Sequence, residues 1–246
     1  LSVTVTFVGS GDAFGAGGRF QTCILVDAPD TRFVIDFGAS SLIALNKLGI
    51  DHNTIDAVVL THLHGDHCGG IPFFLADAML GARRDRPLII AGPRQTRERI
   101  AAVNDALMPG MHVMEPRFPL EYQEIDVMRP TRVGELTVTS FPANHTGETN
   151  PTSVRVEVAG KTVAYTGDSA WTKHFPALAA DADLFVCECY FHGKSVRFHT
   201  NYPDIQEHRD ELTAKRMILT HFSREMMGYK DSAPEECAFD GMVVEL

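Results

Sequence analysis

Polar and apolar positions alternate with a period of two over Leu1–Val8, the pattern of a half-buried strand. Gly9-Ser10-Gly11-Asp12 and Gly15-Ala16-Gly17-Gly18 then form a glycine-rich loop, and strands resume at Thr22–Val26 and Phe33–Asp36. Ser40–Leu48 has helical spacing, with Gly49 where a left-handed residue would stop the helix. The apolar run Asp56–Leu60 reads as a buried strand, Ile71–Leu80 as a helix, Pro87–Ala91 as a strand and Gln95–Leu107 as a helix. Met108–Pro119 contains Pro109, Pro116 and Pro119 and no clean period, which makes it the predicted mobile loop. The second half repeats this logic. Strands at Leu136–Phe141, Ser153–Val158 and Thr162–Tyr165 precede a helix near Trp171–Leu178. Leu184–Cys187 is another apolar strand, Asp204–Ala214 a helix, and Met217–Thr220 and Met242–Glu245 are closing strands. Strand-rich halves that each carry helices predict two packed sheets with helices outside, in a single domain over residues 1–246.

The bulk properties fit such an enzyme-sized core: 246 residues, 44% of them hydrophobic. No stretch approaches the ~20 apolar residues that span a bilayer. Leu1–Val8 has no basic segment before it, so no signal peptide is visible, and the absence of an initiator Met leaves a removed leader open. Cys23, Cys68, Cys187, Cys189 and Cys237 are odd in number and outline no disulfide framework, which points to a reducing, cytoplasmic setting. A net charge of −10 argues against broad non-specific nucleic-acid binding. It leaves room for an anionic substrate inside a locally cationic metal site.

The chemistry is concentrated in Thr61-His62-Leu63-His64-Gly65-Asp66-His67, an H-x-H-x-D-H sequence directly after Val58-Val59-Leu60. In extended backbone, side chains at i and i+2 share a side, so His62 and His64 can grip one cation. Asp66 and His67, at the loop end, can face a second. Imidazole and carboxylate together suit zinc, manganese or iron. A metal pair needs further ligands from loops after other strands. His145 follows Leu136–Phe141, Asp168 follows Thr162–Tyr165, and His221 follows Met217–Thr220. Each lies past the carboxyl end of an apolar strand, where α/β proteins build sites.

These residues resemble the metallo-β-lactamase superfamily, whose signature is H-x-H-x-D-H followed by a His, a bridging Asp and a final His. The resemblance covers nearly the whole chain. It implies the αββα sandwich, with His62, His64 and His145 on one metal, Asp66, His67 and His221 on the other, and Asp168 bridging. Phe7-Val8-Gly9-Ser10-Gly11-Asp12-Ala13, Tyr165-Thr166-Gly167-Asp168-Ser169, Leu219-Thr220-His221-Phe222-Ser223 and His199-Thr200 look like the ribonuclease Z-like and phosphodiesterase branch. Two departures stand out. Cys187 occupies the place before Glu188 where family transfer-RNA processing enzymes have a His. The chain also lacks their long Gly/Pro-rich arm for gripping transfer RNA. Both departures shift the expected substrate from transfer RNA to a small or cyclic phosphodiester or a short RNA end. Dimerisation is expected by resemblance alone.

A phosphodiester carries negative charge that repels hydroxide, and its transition state accumulates more. Two divalent cations about 3.5–4 Å apart neutralise that charge and hold a hydroxide in line for attack. Zinc is the first expectation, and manganese or iron also fit. Asp66 is expected to bind metal and orient that hydroxide, and His199 to donate the proton to the leaving oxygen. Arg19 is a candidate phosphate clamp, and Ser10 and Gly11 are candidate anion-binding N–H donors. Cys68 reads as packing, Cys187-Glu188-Cys189 as a strand end, and His52, His112, His174, His192 and His208 as surface or loop residues. Met226-Met227 and Phe73-Phe74 read as core or pocket wall. The alternatives are a lactonase, thioesterase or β-lactamase acting at a carbonyl, a transfer-RNA 3′ processing endonuclease, and a non-catalytic scaffold. The last should have lost ligands, and all seven are present.

Overall fold

The apolar alternation over the first strand continues into a sheet because each strand offers one face to each of two cores. The computed structural model describes residues 2–246, apart from the His112 side chain, so the expectations for Leu1 and His112 lie outside the described residues. The first sheet contains β1 (Thr4–Gly9), β2 (Cys23–Ala28), β3 (Thr31–Ile35), β4 (Ala57–Val59), β5 (Leu88–Gly92), β6 (Leu120–Glu124) and, from the far end of the chain, β14 (Met242–Glu245). Its order is β14-β1-β2-β3-β4-β5-β6. The second sheet contains β7 (Pro130–Val133), β8 (Leu136–Pro142), β9 (Thr152–Val158), β10 (Lys161–Tyr165), β11 (Leu184–Glu188), β12 (Met217–Thr220) and β13 (Glu236–Cys237), ordered β13-β12-β11-β10-β9-β8-β7. Both sheets are mixed: β14 to β3 and β7 to β10 pair antiparallel, while β3 to β6 and β10 to β13 pair parallel.

Three apolar layers follow from this arrangement. Between the sheets, Phe7, Phe33 and Val59 meet Val138, Val156, Val163 and Ile218. Outside the first sheet, α1 (Ser41–Lys47), α3 (Ile71–Leu80) and α4 (Thr96–Leu107) cover Leu25, Val34 and Val58. Outside the second, α5 (Phe175–Ala179), α6 (Tyr202–Glu207) and α7 (Arg224–Met227) cover Ala164, Phe185 and Leu219. This is the αββα sandwich. A four-residue helix, α2 (Gly65–Cys68), lies at the rim of the first sheet.

Several element expectations need correction. The helix near Trp171 begins only at Phe175, with Pro176 in its first turn, where a missing N–H costs nothing. The helix expected over Asp204–Ala214 opens earlier, at Tyr202. Asn201 and Asp204 form a reciprocal cap there, and the helix ends at Glu207. Strands β6, β7 and β13 were not anticipated. Among the described residues, no helix is long and apolar enough to cross a membrane.

Candidate metal centre

Each ligand-type residue emerges where a strand releases the chain. β4 delivers Thr61 to His64, and α2 carries Asp66 and His67, so these two lie on a helical turn rather than a loop end. β8 delivers His145, β10 Asp168 and β12 His221. Gly167, just before Asp168, has φ +58°, and a Cβ there would lie 2.9 Å from the Thr61 Cβ. The turn that presents the Asp168 carboxylate therefore excludes a side chain at 167. Backbone bonds across the seam lock the halves together beside the site: Thr152 N to Thr61 O at 3.0 Å and Leu63 N to Thr149 O at 3.1 Å.

Three donor groups converge here, and because the third (Asp168, Glu188, His199 and His221) shares Asp168 and His221 with the second, the geometry is described by two adjacent groups. In the first, His62 Nε2 lies 3.2 Å from His64 Nδ1, and His145 Nε2 lies 3.1 Å from the same atom. Outer partners set the tautomers. His145 Nδ1 faces the Phe198 carbonyl at 2.9 Å, and a carbonyl only accepts, so Nε2 is left as a lone pair. In the second, His67 Nε2 lies 3.3 Å from Asp66 Oδ2 and 3.2 Å from Asp168 Oδ1. His221 Nε2 lies 3.4 Å from each of the same two oxygens. The ligand atoms within each group fall within 4.8 Å of one another. The other Asp168 oxygen, Oδ2, faces the first group, 4.0 Å from His62 Nε2.

These donors fit divalent cations. His67 Nε2 and Asp168 Oδ1 are buried without a hydrogen-bond partner. His67 Nδ1 donates to Asp36 Oδ2 at 2.7 Å, so in the neutral ring Nε2 would present a lone pair to two carboxylates. Acceptors facing acceptors in a dry site repel unless positive charge lies among them. The titration shifts express the same deficit. Burial pushes Asp66 and Asp168 up, yet the charges of His67 and His221 outweigh it and hold both carboxyls well below their usual range. Burial likewise opposes charge on His67 and His221, but the carboxylates, Asp168 foremost, carry both well above the usual imidazole range. Burial, and then His67, keep His62 well below it. Protons thus do in the second group what a cation would do better, while burial holds His62 and His64 toward the neutral form that ligates.

Asp36 organises both groups, and reading the motifs alone misses it. It is fully buried at the end of β3, with φ 60°. Its carboxylate accepts from Thr61 N at 2.8 Å, Thr61 Oγ1 at 2.8 Å and His67 Nδ1. With its proton given to Asp36, Thr61 Oγ1 must accept from His62 Nδ1 at 3.1 Å, which leaves His62 Nε2 free to ligate. The signal was available, because Asp36 follows an apolar strand just as the ligands do.

Glu188 is fully buried, and its partner is His199, eleven positions on. His199 Nδ1 lies 2.5 Å from Glu188 Oε1, while Oε2 accepts from Ser169 N at 3.0 Å and Thr200 N at 3.2 Å. Burial opposes charge on His199, and Glu188 outweighs it, so the imidazole is raised above its ordinary value. Cys187 packs in the outer core of the second sheet, where its thiol donates to the Glu188 carbonyl at 3.3 Å. The Tyr190 ring stacks on His199 at 4.4 Å. A cavity of about 180 Å³ is lined by His64, Asp66, His145, Asp168, His199 and His221, so His199 shares open space with both groups.

Other expectations fall away. Arg19 Nη1 donates to Ser10 Oγ at 3.2 Å and its guanidinium lies over Phe222, so it is engaged internally rather than clamping an anion. Ser10 N donates to Asp240 Oδ1 and Gly11 N to the Phe20 carbonyl, so neither offers a free N–H. His52 is buried against Asp77 and Phe74, not on the surface. Phe73 is exposed while Phe74 is core. Cys68 is core, as its apolar neighbours imply.

The ribonuclease Z of Lachnoclostridium phytofermentans is 26% identical over 273 residues, covering 89% of this chain and 87% of that protein. The Haloferax volcanii ribonuclease Z is 27% identical over 272 residues, covering 91% and 85%. The fold matches human tRNase Z, short form, with a TM-score of 0.79 at 22% identity over 98% of each chain. It matches YhfI of Bacillus subtilis, a metallo-β-lactamase fold protein, at 0.77 and 23% over 100% of each. The family model of the anti-Pycsar protein Apyc1 matches residues 3–242, and the chain belongs to that family, a metal-dependent hydrolase in the ribonuclease Z-like branch of the metallo-β-lactamase superfamily.

Proposed function

We propose that the chain is a dinuclear phosphodiesterase, one hydrolase domain acting on a small or cyclic phosphodiester or a short RNA end. One observation carries the reading. Two convergent donor groups lie side by side, and the two Asp168 oxygens face one group each. His62, His64 and His145 would hold one cation and Asp66, His67 and His221 the other, with Asp168 shared and zinc the first choice for this donor set. Bound there, divalent cations supply charge neutralisation to the phosphoryl group and acidify water to a pKa of ~7.

The chain's own residues do the rest. Asp36 and the Phe198 carbonyl fix the imidazole tautomers, so the ligands need no rearrangement. Asp66 is placed to accept a hydrogen bond from the attacking water. His199, its pKa raised by Glu188 and its ring facing the cavity, donates a proton to the leaving oxygen, a role whose loss costs about 10²–10⁴ in rate. The ribonuclease Z relatives are named for an RNA substrate, itself a phosphodiester, which supports phosphorus over carbon. The test is hydrolysis of bis(p-nitrophenyl) phosphate by metal-quantified protein beside a lactone and a thioester. Phosphodiester turnover abolished by chelator and restored by zinc or manganese is expected. Lactone or thioester cleavage with no phosphodiester turnover would replace the substrate class.

A further inference from the structure

The metal ligands stand past the carboxyl ends of the strands, and the opposite end of the first sheet carries a cluster of its own. β5 and β6 pair in parallel and begin side by side, with Leu88 N donating to the Pro119 carbonyl at 2.9 Å. The chain that enters them, residues 81–87 and 111–119, therefore meets at one corner. β5 is five residues long, so its length alone sets this corner about 16 Å from the rim where the metal motif lies. Two adjoining cavities open there, of about 330 Å³ and 170 Å³, and Met79, Arg83 and Arg117 line both.

The charges at this corner are uneven. Among the described residues, neither Arg83 nor Arg117 has a side-chain hydrogen bond, ion pair or ring contact. Arg83 also sits at φ +50°, a left-handed seat that disfavours a long side chain, while Gly81 nearby takes an ordinary φ of −85°. Strained residues of this kind gather at binding sites. Arg84 is 4% exposed, and its guanidinium donates to the carbonyls of Asn53, Ile55, Arg86 and Pro87 at 2.6 to 2.8 Å. Those bonds satisfy its N–H groups without cancelling its charge. Arg84 thus pins the turn that carries Arg83 and stands as a fixed positive charge in the wall of the smaller cavity. Arg86 is neutralised by Asp56 at 2.6 Å. Asp85 and Glu115 complete the charged lining, so three guanidiniums face two carboxylates in a chain whose net charge is −10. Beside them Met79, Leu80 and Met114 form an apolar wall, with Leu80 and Met114 open to water.

We propose that this corner binds an organic phosphomonoester, its dianion clamped between Arg83 and Arg117 and its apolar body lying on Met79, Leu80 and Met114. Guanidinium forks match pairs of phosphate oxygens, and two unpaired forks on one cavity suit a group with three terminal oxygens. A diester offers one charge and two such oxygens, so the site favours the monoester. The inference stands apart from the metal centre. Where the phosphodiesterase reading holds, a monoester is also the class of molecule that reaction releases.

The test is calorimetry on the full chain loaded with zinc, titrated with phenyl phosphate, beside Arg83→Ala, Arg117→Ala and the double variant. Wild type should bind one more equivalent than the double variant, which separates this event from any binding at the metal. Each single variant should weaken the event about tenfold, the loss of hydrogen bonds between charged groups. Zinc content, Tm and turnover of bis(p-nitrophenyl) phosphate should be the same in all four proteins. Inorganic phosphate should bind about tenfold more weakly than phenyl phosphate, because it covers none of the roughly 60 Å² of apolar wall the ring would cover. Methyl phenyl phosphate, a monoanion, should also bind about tenfold more weakly. With phenyl phosphate bound as expected, vesicles of phosphatidylcholine with phosphatidic acid distinguish the sources. Sedimentation of wild type but not the double variant identifies a lipid headgroup, and no sedimentation of either identifies a free phosphomonoester. Equal binding of phenyl phosphate by wild type and the double variant, or equal affinity for the monoester and its methyl diester, overturns the proposal and leaves the phosphodiesterase reading standing. A wild type that hydrolyses no diester fails that reading and leaves this site to be decided by the titrations alone.

Discussion

Asp36 acts on both donor groups through a single carboxylate, directly on His67 and through Thr61 on His62. Asp36→Asn should keep the fold and lower metal affinity about 10- to 100-fold, the usual cost of losing such an outer partner, as read by competition with a chromophoric chelator. Asp168→Ala removes the carboxylate that faces both groups and should cost most of the bound metal together with activity. Two metals per chain and undiminished turnover in that variant would refute the ligand set. His199→Ala should instead retain metal, measured by elemental analysis, and lose turnover most on diesters with poor leaving groups. The ligands themselves were legible because H-x-H-x-D-H packs four donors into six positions. The pairings of Asp36 with His67 and of Glu188 with His199 were not, because they join positions 31 and 11 apart.

Among the elements, the buried strands and the apolar-faced helices were readable, and the edges were not. β6 and β7 lie at the sheet margins, with half-exposed residues such as Tyr122 and Thr131, and alternation blurs when only one neighbour strand is present. Pro203 and the Asn201–Asp204 cap decided where α6 opens, a signal local sequence carries but periodicity does not. Elsewhere a single side chain ties elements together. Asp183 accepts from Thr162 N at 2.9 Å in β10 and from Lys215 Nζ at 2.9 Å before β12. Burial pushes its carboxyl up, and the Lys215 and Thr162 hydrogen bonds together with the charges of Lys215 and Lys161 outweigh it, leaving the value below the ordinary 3.8. A depressed carboxyl stabilises above its ordinary value and loses that contribution as pH falls through the folded one. Asp183→Asn should therefore lower Tm by about 2–4 °C at pH 7, for a loss of about 1 kcal/mol. The difference should shrink in thermal melts below pH 3.8.

At the scale of the molecule, the αββα layering was expected from the resemblance, while the strand order was not, since pairing between distant strands leaves no local trace. Burial makes a further prediction about the five thiols. Cys23, Cys68, Cys187 and Cys189 are buried, and Cys237 is the one partly exposed. Burial lifts even Cys237 to about 11. Ellman's reagent at pH 8 should titrate at most one thiol, slowly, in the folded chain and five after denaturation. More than one fast equivalent would contradict the packing.

The donor groups are not confined to one sheet. His62, His64, Asp66 and His67 hang from the first, and His145, Asp168 and His221 from the second. A cation seated between them works as a rivet through the seam. Occupancy at 100 times Kd adds about 2.7 kcal/mol to the folded state. Prying the sheets apart, by heat or by a pulling force on the chain, must then expel the metal first. Amide exchange should slow in both sheets together on loading, and the chain's mechanical strength becomes a readout of the metal supply around it.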